Sequence, residues 1–351
     1  MSRFRTLVAA LAIALPIPAA VAGCGSSSSS NDEDPNQVLE QTFNNSTKVT
    51  SGHLAIDLSG SAEGTQSGNL SATIEGPFQG DASNPNAFPQ FDLTAKVSAS
   101  GAGQSFNFDG SLIATKDNAY VEYQGQAYEV GTSLYQQFAQ SYEKAQNQAQ
   151  AQGNQDSKSF LKQFGVDPTT WLTNVSNEGT TDVDGADTIH IHGDANVPQI
   201  LSDVQKIAQQ TGGGQASIPQ AQLDQVESAI KTASIDVYSG TSDKLLRKLS
   251  FTLTVEPQAG TNSQVSSVNA NFSVTLSDVN QPQTITAPSN AKSISDLLGQ
   301  FGINLPLGAL GGATGSQPQI PGVGGSSQAY ANCIKNAATP SDLQKCAQKI
   351  K

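Results

Sequence analysis

Val268-Asn269-Ala270-Asn271-Phe272-Ser273-Val274-Thr275-Leu276 alternates an apolar residue with a polar one for nine positions. A period of two puts all the apolar side chains on one face of an extended strand, so the segment predicts a β-strand with one dry and one wet face. The pattern recurs at Leu54-Ile56-Leu58, Leu70-Ala72-Ile74, Phe91-Leu93-Ala95-Val97, Phe106-Phe108 and Ala119-Val121-Tyr123. It returns at Ile189-Ile191, Ile235-Val237 and Leu249-Phe251-Leu253-Val255. Glu63-Gly64, Gly101-Ala102-Gly103, Asp117-Asn118 and Gln124-Gly125 separate neighbouring runs at hairpin distance. A large antiparallel sheet is the expectation.

Other stretches keep a helical period. Residues 35–44 carry a short helix signal, and Leu134, Tyr135, Phe138 and Tyr142 are spaced for a helix that fades into a Gln/Ala-rich stretch at 146–155. Asp167-Pro168-Thr169-Thr170-Trp171-Leu172 reads as a capped helical turn. Ile200, Val204 and Ile207 follow Pro198, and Leu223, Val226 and Ile230 follow Pro219, each set forming one apolar stripe. Such stripes need a surface to cover. The predicted class is therefore α+β: a large, curved antiparallel sheet with helices on its concave, dry face.

The two ends of the chain stand apart from this domain. Arg3 and Arg5 precede an apolar run from Leu7 to Ala20 that Pro16 and Pro18 interrupt, which reads as a signal peptide over residues 1–23. Val21-Ala22-Gly23-Cys24 has the lipobox pattern, small residues at a cut followed by a cysteine, so Cys24 is the expected lipid attachment site. Residues 24–34 are too polar to fold and read as a flexible tether. Two or three acyl chains on that cysteine would hold the protein stably to a membrane, whereas one would not. The expected location is the outer face of the cytoplasmic membrane, in the cell envelope.

Residues 35–298 then form the main domain, and residues 299–327 end it with a linker rich in Gly, Pro and Ser. Residues 328–351 read as two short amphipathic helices around Thr339-Pro340-Ser341-Asp342. Cys333 and Cys346 face each other across that turn and form an even pair in an exported chain, so a disulfide-closed α-hairpin is expected.

The formal net charge is −12, and removal of residues 1–23 takes it two units further negative. An acidic chain with scattered lysines is a poor partner for nucleic acid. His190 and His192 lie two apart on the polar face of a strand with Asp194 close by, but a third firm metal ligand is missing. Asp182-Val183-Asp184-Gly185-Ala186-Asp187 lacks the later positions of a calcium loop and reads as a hairpin turn. Ser141-Tyr142-Glu143-Lys144 and Ser289-Asn290-Ala291-Lys292 match Ser-x-x-Lys without the partner motifs that give it catalytic meaning. Tyr120, Tyr123 and Tyr128 read as cross-strand packing. No catalytic residue, metal or cofactor is expected.

A resemblance runs through residues 34–290. Asp34-Pro35, Val38-Leu39, Gly76-Pro77-Phe78, Phe88-Pro89-Gln90-Phe91-Asp92-Leu93 and Gly125-Gln126-Ala127-Tyr128-Glu129-Val130 carry its first half. Trp171-Leu172, Asn177-Glu178-Gly179, Thr188-Ile189-His190-Ile191, Asp236-Val237-Tyr238, Leu246-Arg247-Lys248-Leu249 and Asp278-Val279-Asn280 continue it. Taken in order behind a lipobox, they resemble the LppX/LprG-like lipoproteins, a family similar to the LolA and LolB carriers. The Gln-rich stretch at 145–157 and everything after residue 290 depart from its pattern.

The resemblance implies a LolA-like half-barrel around an apolar cavity that binds the acyl chains of a lipid or glycolipid and carries or presents them, with a membrane lipid exporter as a further partner. The cavity wall would be Leu54, Ile56, Leu58, Leu70, Ile74, Phe91, Leu93, Val97, Phe106, Phe108, Leu249, Phe251, Leu253, Val268, Ala270, Phe272 and Val274. Periodicity by itself equally allows these residues to pack against the helices as a solid core, as in a noncatalytic envelope scaffold or adhesion protein. An envelope hydrolase is the remaining alternative and would need a nucleophile and base converging in a cleft.

Overall fold

The computed structural model describes residues 32–65, 67–101, 103–151, 166–211, 227–256 and 265–300. The signal peptide, Cys24, most of the tether, nearly all of the linker and the Cys333/Cys346 hairpin lie outside the described residues.

Helix α1 (Pro35–Phe43) opens the domain. The Asp34 side chain caps it, accepting from the Asn36 and Gln37 amides at 2.9 and 3.1 Å, and Pro35 occupies the first turn, where its missing N–H costs nothing. The helix buries Val38, Leu39 and Thr42.

Five hairpin-linked strands and a short sixth follow: β1 (Ser51–Gly64), β2 (Gly68–Gln79), β3 (Gln90–Gly101), β4 (Gln104–Ala114), β5 (Ala119–Tyr123) and β6 (Gln126–Glu129). After helix α2 (Thr132–Ala151) and a 3-10 turn (Pro168–Trp171) come β7 (Leu172–Val183), β8 (Ala186–Ala195) and helix α3 (Val197–Thr211). Strands β9 (Ile230–Gly240), β10 (Leu246–Val255) and β11 (Val265–Ser277), the two-residue β12 (Lys292–Ser293) and helix α4 (Ile294–Gln300) complete it.

One sheet holds all these strands in the order β12-β6-β5-β4-β3-β2-β1-β11-β10-β9-β8-β7. The order runs from one edge to the other without closing, and β1 joins the two blocks by pairing antiparallel with both β2 and β11. Gln124-Gly125 and Asp184-Gly185 both have positive φ at the two turn positions, the geometry that matches the twist of a tight hairpin. The Asp182 to Asp187 stretch is accordingly a hairpin turn.

The packed core sits at one end of this sheet. Val38 and Leu39 of α1 meet Leu172, Ile189, Ile191, Ile235 and Val237 of β7, β8 and β9, all buried, with Trp171, Ile200 and Phe251 packed against them. Helix α3 is pinned there by Asp203. Its buried carboxylate accepts from Trp171 Nε1 at 2.9 Å, Gln199 Nε2 at 3.0 Å and Lys206 Nζ at 2.6 Å. Burial pushes this carboxyl upward, and the three donors outweigh burial and hold it below the usual carboxylate range.

Helices do lie on the dry face, and the structure adds where on it they sit: Val38 and Leu39 of α1 pack onto Ile191 and Val237. Helix α1 contacts β7, β8 and β9, and α4 contacts β6 and β12, so these two helices cover opposite ends of the sheet and not its middle. Helix α2 docks through Tyr135, whose hydroxyl donates to the Thr115 carbonyl at 2.6 Å, and through Phe88, whose ring meets Tyr135, Phe138 and Tyr142 edge-on.

Smaller differences have local causes. The helix read as fading at residue 146 continues to Ala151, because Gln and Ala are good helix formers. Ile230, read as part of a helix, begins β9 and pairs with Val255. Strand β7 escaped the period-two reading because register shifts at Thr173/Ser176 and Asn177/Gly179 break its alternation. The sheet is antiparallel except where β12 joins β6 in parallel. Among the described residues no helix is long and apolar enough to cross a membrane.

Candidate functional site

The register of the central strands builds the site row by row. Val237, Leu249, Val274, Ile56, Ile74, Ala95 and Gly110 are successive cross-strand partners from β9 to β4. The next row is Ile235, Phe251, Phe272, Leu58, Ala72, Val97 and Phe108, and the one beyond it Leu253, Ala270, Gly60, Leu70, Ala99 and Phe106. Val255, Val268 and Ala62 continue the face, as do Leu276 and Leu54 on its other side. Leu93, Leu112, Val121 and Tyr128 extend it towards β6, and Phe78, Phe91 and Ala114 border it. Alternation within strands and pairing between them therefore place every cavity-wall candidate on a single face of the sheet. At about 4.8 Å per strand, the face spans about 24 Å from β10 to β4.

This face is open in the middle. Leu58, Leu70, Ile74, Phe106, Phe108, Leu112 and Phe272 are between 36 and 58% exposed, whereas Ile191 and Val237, under α1, are fully buried. A monomer rarely leaves so many large apolar side chains contiguous and bare unless something binds them.

A hollow of about 480 Å³ opens in the face between Ile74, Leu93, Phe108, Leu112, Val121 and Leu297. Its floor is Ala95 and Gly110, cross-strand partners with almost no side chain. Gly110 has no room for more: a Cβ there would lie 2.8 Å from the Glu122 carbonyl. Gly76, beside this region, is required for a different reason. Its φ of +153° and a Cβ position 1.8 Å from the Asp92 carbonyl exclude any side chain.

The sequence reading named the large side chains of this wall and missed Leu112, Val121 and Leu297, and with them the floor. Ala95 and Val121 were visible as alternating residues. That Gly110 faces Ala95 is a fact of register that no single strand shows.

The opposite face is polar. His190 Nε2 and His192 Nδ1 both lie 2.8 Å from Asp236 Oδ1, within hydrogen-bond distance of the one carboxyl oxygen. Tyr238 stacks on His190 at 4.5 Å, and Lys248 Nζ stands 5.7 Å from the Tyr238 ring centre. Burial, then the nearby Asp236 charge, raises the Tyr238 hydroxyl above its usual range. Asp194, the neighbour considered from sequence, instead accepts from Asn174 Nδ2 at 2.8 Å. Among the described residues no three His, Cys, Asp or Glu side chains are arranged to hold a metal. His53 lies on β1, separated from β8 by three strands.

An open-sheet α+β protein with a bare apolar face is thus the class that the fold and site define. No protein-family model and no curated protein sequence matches the chain. Among solved structures it is similar to lipoprotein LppX from Mycobacterium tuberculosis, at 14% identity over 72% of this chain and 98% of that one, with a TM-score of 0.32. It is also similar to LprF from Mycobacterium bovis, at 12% identity over 72% and 96% of the two chains, TM-score 0.33. A DUF1329 family protein from Desulfovibrio piger matches at 10% identity over 71% and 93%, TM-score 0.19. What the face can do is read from its own residues.

Proposed function

We propose that the chain is a noncatalytic lipoprotein of the cell envelope, anchored through lipid on Cys24, that binds the acyl chains of a lipid or glycolipid on its bare apolar face. In this reading the sheet curves as a half-barrel around the face, and the protein carries the lipid or presents it to a membrane exporter. The observation that supports the reading best is the set of apolar rows from β10 to β4, in which Leu58, Leu70, Ile74, Phe106, Phe108 and Phe272 are more than a third exposed while, among the described residues, α1 and α4 pack at the ends of the sheet. Each methylene moved from water onto such a surface contributes about 0.8 kcal/mol. A long acyl chain then offsets most of the cost of leaving a bilayer, and no reacting group is needed.

Native mass spectrometry and lipid extraction of the mature chain with Cys24→Ser test this. Co-purified acyl lipid, and uptake of a fluorescent phospholipid from vesicles by the delipidated protein, are expected. Absence of both would overturn the reading in favour of a scaffold.

A further inference from the structure

A second hollow, of about 390 Å³, lies on the polar side of the sheet. Tyr238, Lys248 and Thr275 line it together with the end of the β7–β8 hairpin, which brings Asp182 and Asp184. The register makes Tyr238, Lys248 and Thr275 successive cross-strand partners on β9, β10 and β11. Among the described residues none of their three polar groups has a hydrogen bond or a carboxylate partner, and Lys248 keeps only its place 5.7 Å from the Tyr238 ring centre. Asp236 is engaged by His190 and His192 instead. Thr275 is 9% exposed, and a hydroxyl buried that far is normally paired.

We propose that this hollow binds a monosaccharide unit carrying one anionic group, a carboxylate or a phosphate, with that group on Lys248, Tyr238 and Thr275 and the ring hydroxyls on Asp182 and Asp184. An ammonium and two hydroxyls offer an excess of donors, which an anionic oxygen satisfies better than a neutral one. The Tyr238 hydroxyl stays protonated and able to donate, because burial and then the Asp236 charge raise it. Ionised carboxylates only accept, so Asp182 and Asp184 would repel a bare anion but take hydrogen bonds from sugar hydroxyls. Asp182 accepts from the Gly185 amide at 3.1 Å and has lone pairs left over. The volume is at the low end of the roughly 300–1,000 Å³ of small-molecule pockets, which suits one sugar ring. This hollow lies on the face opposite the apolar rows, so the site stands or falls apart from the lipid reading.

Isothermal titration calorimetry on the delipidated mature chain with Cys24→Ser tests this, with glucuronate, glucose 6-phosphate, glucose and inorganic phosphate as probes. Glucuronate or glucose 6-phosphate is expected to bind with a millimolar or lower Kd, and glucose and inorganic phosphate at least about tenfold more weakly. Lys248→Gln should weaken the acidic sugar about tenfold. Tyr238→Phe, which keeps the ring that stacks on His190, should weaken it about threefold with the melting temperature unchanged. Lys96→Gln, which removes the same charge from β3 outside the hollow, should leave binding as it was. Failure of both acidic sugars to bind would overturn the proposal. So would glucose or phosphate binding as tightly as they do, or equal effects of Lys248→Gln and Lys96→Gln.

Discussion

Leu58 of β1 and Phe272 of β11 are direct cross-strand partners in the middle of a twelve-stranded sheet, and both are more than a third exposed. Such a pair normally lies under a helix or a second sheet. Among the described residues α1 and α4 pack at the two ends of the sheet, so the buried and the exposed apolar side chains belong to different parts of one face.

That division predicts unequal effects of the same kind of truncation. Ile191→Ala removes a fully buried side chain from beneath α1 and should cost about 2–5 kcal/mol. Leu58→Ala, on the open part, should cost well under that, about 1 kcal/mol or less. Urea unfolding of both variants gives the comparison, and equal losses would mean that the middle of the face is packed.

Ala270 separates a binding surface from a filled interior. It lies between Leu253 and Gly60, which has no side chain, so Ala270→Trp places an indole over open sheet. The melting temperature should stay within a few degrees of the delipidated parent while co-purified lipid falls sharply. An overpacked core would instead lose about 1–3 kcal/mol with lipid content per folded molecule unchanged.

Asp203 sets a pH dependence. Its folded-state affinity for protons is depressed, so its stabilisation is present above the unfolded value of about 3.9 and lost as pH falls from there through the folded value. Asp203→Asn should cost about 1–3 kcal/mol at pH 7. The gap between parent and variant should narrow below about pH 4, as urea melts at pH 7 and pH 3 would register. A gap of constant size would show that the carboxylate charge is not its source.

Anchoring depends on one thiol in the lipobox reading. Cys24→Ala should abolish acylation and leave uncut precursor or released protein. Normal processing and membrane fractionation of the variant would refute it.

The proposed C-terminal hairpin makes a redox prediction. Nonreducing peptide mapping of the exported protein should join Cys333 to Cys346 within one chain. Closing so short a loop contributes about 3 kcal/mol in the chain-entropy model, so Cys333→Ser should expose the hairpin to proteolysis. Two free thiols in the exported protein would remove the staple.

The strands were legible because their signal is local. In Val268 to Leu276 or Leu54 to Leu58, period two states both the extended backbone and which side chains share a face, and the sheet could only multiply that pattern. The cap at Asp34 and the turn at Asp184-Gly185 were legible for the same reason, since each is satisfied within a few residues. Where contacts bring distant segments together, the pattern was silent. Nothing in the spacing of Leu39 says that α1 docks on Ile191 and leaves Leu58 bare, nothing near His190 points to Asp236 in place of Asp194, and no strand alone shows Gly110 meeting Ala95. Periodicity records which side of a strand avoids water. What covers that side depends on where helices from elsewhere in the chain come to rest, and that only the tertiary structure decides.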